Sequence, residues 1–268
     1  ETIIRNLRDD LIGRTITSAD LRWAKTLATP ETVPFSRHIQ GQRIDRLTRR
    51  AKYIHLHLTV DHLLIHLRMS GDLLIRETDE PVAKHDRLLL HLSDGKVLAF
   101  NDTRKFGRVW LTASPDDVLG HLGPEPLDKA FTASIFYTML QKHKRQIKPL
   151  LLDQSFLAGM GNIYTDESLH MAGIHPQMQS HLISQEQAKG LWRSLRDVLQ
   201  EGIRRNGTSI DWIYRGGDFQ NYLHVYGRTD EPCPVCGTPI QRIIVGQRST
   251  HYCPQCQPLK GVNDASTI

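Results

Sequence analysis

Apolar residues Ile3, Ile4, Leu7, Leu11 and Ile12 recur at helical spacing, and Gly13 follows them as a stop, so the chain is predicted to open with an amphipathic helix. From Arg14 to about Thr112 the period shortens. Tyr53-Ile-His-Leu-His-Leu58, Leu63-Leu-Ile-His-Leu67, Asp72-Leu-Leu-Ile75, Leu88-Leu-Leu-His-Leu92 and Lys96-Val-Leu-Ala-Phe100 read as short strands. Turn signals at Asp61-His62, Ser70-Gly71 and Ser93-Asp-Gly95 separate them, which predicts an antiparallel sandwich or barrel. Gly120-His-Leu-Gly-Pro-Glu-Pro126 then reads as a linker. Helical periodicity follows at 132–141, at 148–154 and from near Asn162. Ser184 with Gln187 makes a capping-box pattern ahead of a long helix. Its stripe is Ala188, Leu191, Trp192, Leu195, Val198, Leu199 and Ile203, with Gly207 as its end. The fold class expected is α+β in two domains: an N-terminal antiparallel β-sandwich with a flanking helix (1–119), a linker (120–127) and a C-terminal helical domain (128–228).

Composition adds that the protein is an ordinary globular one, with 39% hydrophobic and 24% charged residues. No apolar run approaches the ~18 residues of a membrane span, so no membrane partner is expected. The first ten residues are too charged for a signal peptide, which points to the cytoplasm. Net charge is +5. The distribution is more informative: Arg43, Arg46, Arg49, Arg50 and Lys52 cluster, as do Lys142, Lys144, Arg145 and Lys148, and Arg242 and Arg248 lie further on. Basic patches on separate elements are the footprint of a nucleic-acid binder. His55, His57, His66 and His91 fall in the strands. No His-Glu-x-x-His or similar spacing marks a metal site among them, and they read as polar-face residues of a sheet.

All four cysteines lie within the last 36 residues, as Cys233-x2-Cys236 and Cys253-x2-Cys256 with sixteen residues between the pairs. Two such knuckles folded together place four thiolates at the corners of a tetrahedron, the geometry Zn²⁺ accepts in a closed structural site. An iron site of rubredoxin type and two disulfides are the competing readings. Zinc is favoured because the rest of the chain lacks cysteine and any secretory signal. Pro232, Pro234, Gly237 and Pro254 favour tight knuckle turns, and Ile240–Val245 with Thr250–Tyr252 reads as a hairpin. A zinc-bound hairpin is therefore expected at 229–258, followed by a tail at 259–268. One structural zinc is the cofactor expected, and with four thiolates it would lower the net charge to about +3.

Gly159-Met-Gly-Asn-Ile-Tyr-Thr-Asp-Glu167 joins a sharp turn to a helix start, where Asn162 would cap and free N–H groups would hold a phosphate. With Lys148-Pro-Leu-Leu-Leu-Asp-Gln154 before it and Ala172-Gly-Ile-His-Pro176 after it, the segment resembles the helix–two-turns–helix of the formamidopyrimidine-DNA glycosylase family. Arg49-Arg-Ala-Lys-Tyr53, His66-Leu-Arg-Met-Ser-Gly71, Lys84-His-Asp86, Asp102-Thr-Arg-Lys-Phe-Gly107, Val225-Tyr-Gly-Arg228 and Gly246-Gln-Arg-Ser-Thr-His-Tyr-Cys253 agree in order. The resemblance implies an enzyme that excises 8-oxoguanine and formamidopyrimidines from duplex DNA and nicks the strand as an abasic-site lyase. Its expected partner is double-stranded DNA carrying oxidised or abasic sites, met as a monomer in the bacterial cytoplasm at the nucleoid. Met69, Arg104 and Phe106 match positions that fill the space left by a flipped base. Lys52, His85, Arg104, Asn162 and Arg248 match residues that grip the phosphate backbone, Lys52 and Arg248 standing for the catalytic set. His143 occupies a further basic position of the pattern, with Lys144 as its substitute. Gly207–Ser209 and Arg215–Gln220 resemble the loop that covers the flipped base.

The family does its chemistry with the N-terminal proline of a Pro-Glu-Leu-Pro-Glu-Val start, whose secondary amine forms a Schiff base with the sugar. This chain begins at Glu1-Thr2. A shortened start and an inactive lesion-binding relative both remain open. In either case the chain beginning at Glu1 is expected to bind lesion DNA without being trapped on it by borohydride. Residual lyase activity through Lys52 is a further expectation. The rival functions are a glycosylase of the oxidised-pyrimidine branch and a non-catalytic DNA-binding module.

Overall fold

The computed structural model describes residues 1–28, 34–209 and 216–259. They fall into two compact units, one within Glu1–His121 and one within Leu122–Thr208 and Gly216–Ile268. Among the described residues no helix is long and apolar enough to cross a membrane.

The first unit opens with α1 (Thr2–Leu11), which buries Ile4, Leu7 and Leu11 and is followed by Gly13 at φ 82°. Among the described residues eight strands follow: β1 (Ile16–Leu21), β2 (Ile44–Arg50), β3 (Tyr53–Leu58), β4 (His62–His66), β5 (Gly71–Glu77), β6 (Asp86–Leu92), β7 (Lys96–Asp102) and β8 (Arg108–Thr112). They form two four-stranded antiparallel sheets, ordered β1-β6-β7-β5 and β2-β3-β4-β8. The alternation in the sequence decides which side chains meet. Leu47, Leu56, Leu63 and Ile65 of one sheet share a core with Leu73, Leu88, Leu90, Leu98 and Phe100 of the other, which makes the sandwich. Phe35-Ser-Arg-His-Ile39 is helical (α2), although it falls in the stretch read as strands. Its buried Phe35 and Ile39 complete the same core, and five residues are too few for a helical period to stand out. A short α3 (Asp116–Leu119) ends the unit.

The strand histidines lie on the sheet face away from the core, as the sequence reading has them, but they are buried or half-buried there. His55 is only 6% exposed, and His57 and His62 lie beside it on the sheet face opposite the core. His66 Nδ1 accepts the Arg68 N–H at 3.0 Å, and its ring meets Tyr53 edge-on. Burial, helped by the charges of Arg68 and Lys52, lowers its pKa from 6.5 to about 4. The folded value lies below the unfolded one, so the unfolded chain takes up the proton first. The neutral ring's contribution to stability is thus complete above pH 6.5 and is lost as pH falls toward 4. A loss of ~1–2 kcal/mol is expected after allowing for solvent screening. Urea unfolding at pH 7.5 and pH 4.5 should give a smaller difference for His66→Gln than for the wild type.

The second unit holds α4 (Ala133–Gln141), α5 (Ile147–Leu152), α6 (Asn162–Met171) and α7 (Gln185–Arg204) around a core that includes Phe136, Leu140, Leu150, Leu169, Leu191 and Leu195. Thr132 caps α4, and Ser184 with Gln187 forms a complete capping box at α7. α7 ends at Arg204, three residues before Gly207, with Asn206 and Gly207 both at positive φ. β9 (Gln241–Val245) and β10 (Arg248–Tyr252) pair as the expected hairpin.

Candidate nucleic-acid interface

In the first unit, Ala51 and Lys52 form the two-residue turn between β2 and β3, which puts the exposed Lys52 at a hairpin tip. Met69 and Phe106 are 58% and 48% exposed, a costly place for large apolar side chains unless a partner covers them. Arg104 lies over the Phe106 ring at 5.1 Å. One buried carboxylate organises both loops: Asp102 accepts the Gly107 N–H at 2.7 Å, the Arg104 N–H at 3.2 Å and the Ser70 hydroxyl. Ser70 follows Met69 directly, so Asp102 fixes Met69 relative to Arg104 and Phe106. Gly107 admits no side chain, because a Cβ there would lie 2.3 Å from the Phe100 ring. Lys105 is held by its Nζ over the Trp23 ring at 4.0 Å, leaving its two neighbours exposed. His85 Nδ1 faces Arg87 Nη2 at 3.2 Å. A guanidinium only donates, so Nε2 carries the imidazole proton and serves as a donor.

In the second unit, α5, the turns at 153–161 and α6 form the helix–two-turns–helix. Asn162 does not cap α6, contrary to the sequence reading. Gly161 holds the N-cap position, no side chain caps the helix, and Asn162 Nδ2 donates to the Ser249 carbonyl at 2.9 Å. The first-turn N–H groups of α6 therefore keep no capping side chain. Ser249 lies on β10, and the same carbonyl accepts from Lys148 Nζ at 2.9 Å. Lys148 is fully buried and contacts Asp166 at 2.5 Å, while Asp166 also accepts the His251 N–H at 3.0 Å. Burial pulls the Lys148 ammonium below the usual lysine range, and Asp166 opposes that shift. These contacts lock β10 to α5 and α6, and Gly246 at the hairpin turn packs against Pro149. Gly246 and Gln247 both have positive φ, as a two-residue hairpin turn of the primed type requires. Arg248 follows at the exposed tip. His143 is half-buried with its ring edge-on to Phe156, and Lys144 beside it is exposed. Arg215 of the expected lesion-covering loop lies outside the described residues.

Six non-glycine residues among those described have positive φ: Ala51, Arg68, Lys105, Asn206, Asp230 and Gln247. Four of them adjoin Lys52, Met69, Arg104 with Phe106, and Arg248. Such backbone costs ~1–3 kcal/mol per residue and persists where the surroundings enforce it, often at binding surfaces. Sequence reasoning missed Asp102, Asp166 and Glu167 as organisers. Glu167 accepts three consecutive N–H groups, from His224, Val225 and Tyr226, and so fixes the Val225-Tyr-Gly-Arg228 stretch. One signal was available for Asp166: it stands four residues after Asn162, on the same helix face.

The four cysteine sulfurs lie within 4.8 Å of one another. Cys233 and Cys256 Sγ are 3.9 Å apart, and Cys236 and Cys253 Sγ are 3.4 Å apart. A disulfide needs ~2.05 Å. Sulfurs tetrahedral about one Zn²⁺ at ~2.3 Å stand ~3.8 Å apart, so this set fits the ion. The Val235 and Cys256 N–H groups point at Cys233 and Cys253 Sγ. His170 Nε2 lies 3.4 Å from Cys233 Sγ. Hydrogen bonds from Thr238 lower the Cys236 thiol to about 6, whereas burial raises Cys253 and Cys256, and a bound cation favours the thiolate form of such a set.

Three family models match: a formamidopyrimidine-DNA glycosylase N-terminal domain over residues 1–109, the H2TH domain of the same glycosylase over 122–213, and a zinc finger found in FPG and IleRS over 230–259. The cysteine quartet is accordingly a structural zinc site. The chain is 46% identical over 268 residues to the formamidopyrimidine-DNA glycosylase of Chloroflexus aurantiacus, covering 96% of this chain and 95% of that one. Among solved structures it is similar to MutM in complex with carbocyclic 8-oxo-G containing DNA, at 36% identity and TM-score 0.89, covering 96% of this chain and 97% of that one. It is equally similar in fold to Lactococcus lactis Fpg (MutM) with a Fapy-dG containing DNA, at 35% identity, TM-score 0.89 and the same 96% and 97%. With the helix–two-turns–helix, the sandwich and the zinc hairpin all matched in order, the chain belongs to the formamidopyrimidine-DNA glycosylase family.

Proposed function

We propose that the chain is a DNA-repair glycosylase that removes 8-oxoguanine and formamidopyrimidines from duplex DNA and then nicks the strand as an abasic-site lyase. It acts as a monomer in the bacterial cytoplasm, at the nucleoid. The observation that carries this reading is the exposed pair Met69 and Phe106, held beside Arg104 by the buried Asp102. Taking a base out of the stack costs a few kcal/mol, and apolar side chains filling the gap offset that cost. Arg104 supplies donors for the acceptors of the unpaired cytosine. Lys52, His85, Asn162 and Arg248, with His143 or Lys144, carry the positive charge and donors for phosphates around the lesion. The zinc hairpin stiffens the strand that carries Arg248. Excision with strand nicking needs an amine that attacks the sugar carbon, displaces the base and forms a Schiff base from which the phosphate is eliminated. The Pro-Glu-Leu-Pro-Glu-Val motif does not occur within residues 1–268.

The test compares the chain beginning at Glu1 with one bearing that hexapeptide ahead of Glu1. Both are expected to bind 8-oxoguanine duplexes, and the extended chain to excise the base and be trapped by borohydride. Met69→Ala/Phe106→Ala in the extended chain should slow excision ~10–100-fold while leaving affinity for undamaged DNA nearly unchanged. Failure of the extended chain to excise oxidised purines, or excision indifferent to the double substitution, would refute the reading.

A further inference from the structure

We propose that His55, His57 and His62 form a second metal site that takes one late first-row divalent transition cation. The site lies on the β2-β3-β4-β8 sheet, on the face opposite the hydrophobic core, and nothing in the glycosylase reading uses it.

Strand geometry brings the three rings together. His57 and His62 are directly opposed across β3 and β4, and His55 lies two residues from His57 on the same face, diagonal to His62. One ring nitrogen from each lies within 4.8 Å of the others. His55 Nε2 and His62 Nδ1 are 2.9 Å apart. Two imidazole nitrogens bound to a common ion at ~2.0–2.1 Å stand ~3 Å apart when their bonds are near a right angle; this pair has that spacing through a shared hydrogen bond, whose proton must move to the ring's other nitrogen as the ion binds.

His57 has the remaining nitrogen. Its Nδ1 faces Arg46 Nη2 at 3.2 Å and its Nε2 faces Thr48 Oγ1 at 2.8 Å. Because the guanidinium only donates, Nδ1 holds the lone pair and Nε2 donates its proton to Thr48. The His57 ring is stacked on that of His55, with 3.7 Å between centroids and 22° between planes, so ligation by all three requires the His57 ring to turn its Nδ1 toward His62. Arg46 is exposed, so its side chain is free to swing into solvent and leave Nδ1 to the ion. Its charge opposes a dication while it stays, which weakens the affinity. The donor set is all imidazole, which suits nickel, copper and zinc and does not suit magnesium or calcium.

The experiment uses untagged, zinc-loaded full chain titrated with Ni²⁺, with bound nickel and zinc both measured. One nickel per chain is expected, with the zinc retained. His55→Gln and His62→Gln should each weaken nickel binding at least ten-fold, His91→Gln should leave it unchanged, and Arg46→Ala should tighten it several-fold. In the wild type, paramagnetic broadening by Ni²⁺ should strike the ring protons of His55, His57 and His62 first, a readout that no variant's folding affects. No nickel beyond the zinc, broadening centred on other histidines, or unchanged affinity in both His62→Gln and Arg46→Ala would overturn the proposal.

Discussion

Asp166→Ala is expected to destabilise the second unit by ~3–5 kcal/mol, because it leaves the buried Lys148 ammonium without its counter-charge. The geometry makes the cost specific. Lys148 has Ser249 O and Asp166 as partners, and Asp166 also receives the His251 N–H. Removing the carboxylate strands a charge and a backbone donor together. Replacing both members, as Lys148→Met/Asp166→Leu, removes the charge and leaves mainly the His251 N–H unsatisfied. That double variant should lose only ~1–3 kcal/mol and so be more stable than the single one. Urea unfolding of the wild type, Lys148→Met, Asp166→Leu and the double variant completes the cycle, and simple additivity of the two single losses would count against the account. Both variants release β10 from α5 and α6, so DNA affinity should fall in each even where stability recovers.

Zinc removal is the second large effect. The small apolar cluster under the hairpin consists of Val225, Cys233, Ile240 and Cys253, with Cys256 partly buried beside it. Half of its fully buried members are metal ligands, so the segment has little core of its own. A structural zinc supplies ~10–16 kcal/mol of binding energy in such a case, and that energy is what orders the chain. Chelation, or Cys236→Ser, should therefore unfold the hairpin while the core around α4 and α7 keeps its helical circular dichroism. DNA affinity by fluorescence anisotropy should drop about ten-fold or more, and the slope of log affinity against log salt should fall by ~1 as the phosphate contact proposed for Arg248 is lost. Arg248→Ala should reproduce the change in slope with the zinc retained. A zinc-free protein that binds DNA with an unaltered salt slope would show that the hairpin is not part of the grip.

Much of the fold was legible because its signals are local. The opening helix, β3 and the α7 capping box follow from apolar spacing or from one side chain bonding to a nearby backbone group. The cysteine quartet was legible because two short spacings and a hairpin bring four thiols together with little help from the rest of the chain. The five-residue α2 was hidden because helicity there comes from burial of Phe35 and Ile39, not from a period. Asn162 was misread as a cap for a related reason. Its residue type suits a cap, but Gly161 takes that position and β10 offers the carbonyl its side chain reaches.

The sequence by itself determined the two classes of domain, the metal-binding hairpin and the family, since each rests on residue types at fixed short spacings. Only the tertiary structure decided which polar groups do the positioning. Asp102 joins the Met69 loop to the Phe106 loop, Asp166 and Lys148 join α6 and α5 to β10, and three histidines from two strands meet on one sheet face. The physical reason is sequence separation. A buried carboxylate or imidazole has no periodicity of its own, and its partners are set by strand register and helix docking between segments distant in the chain.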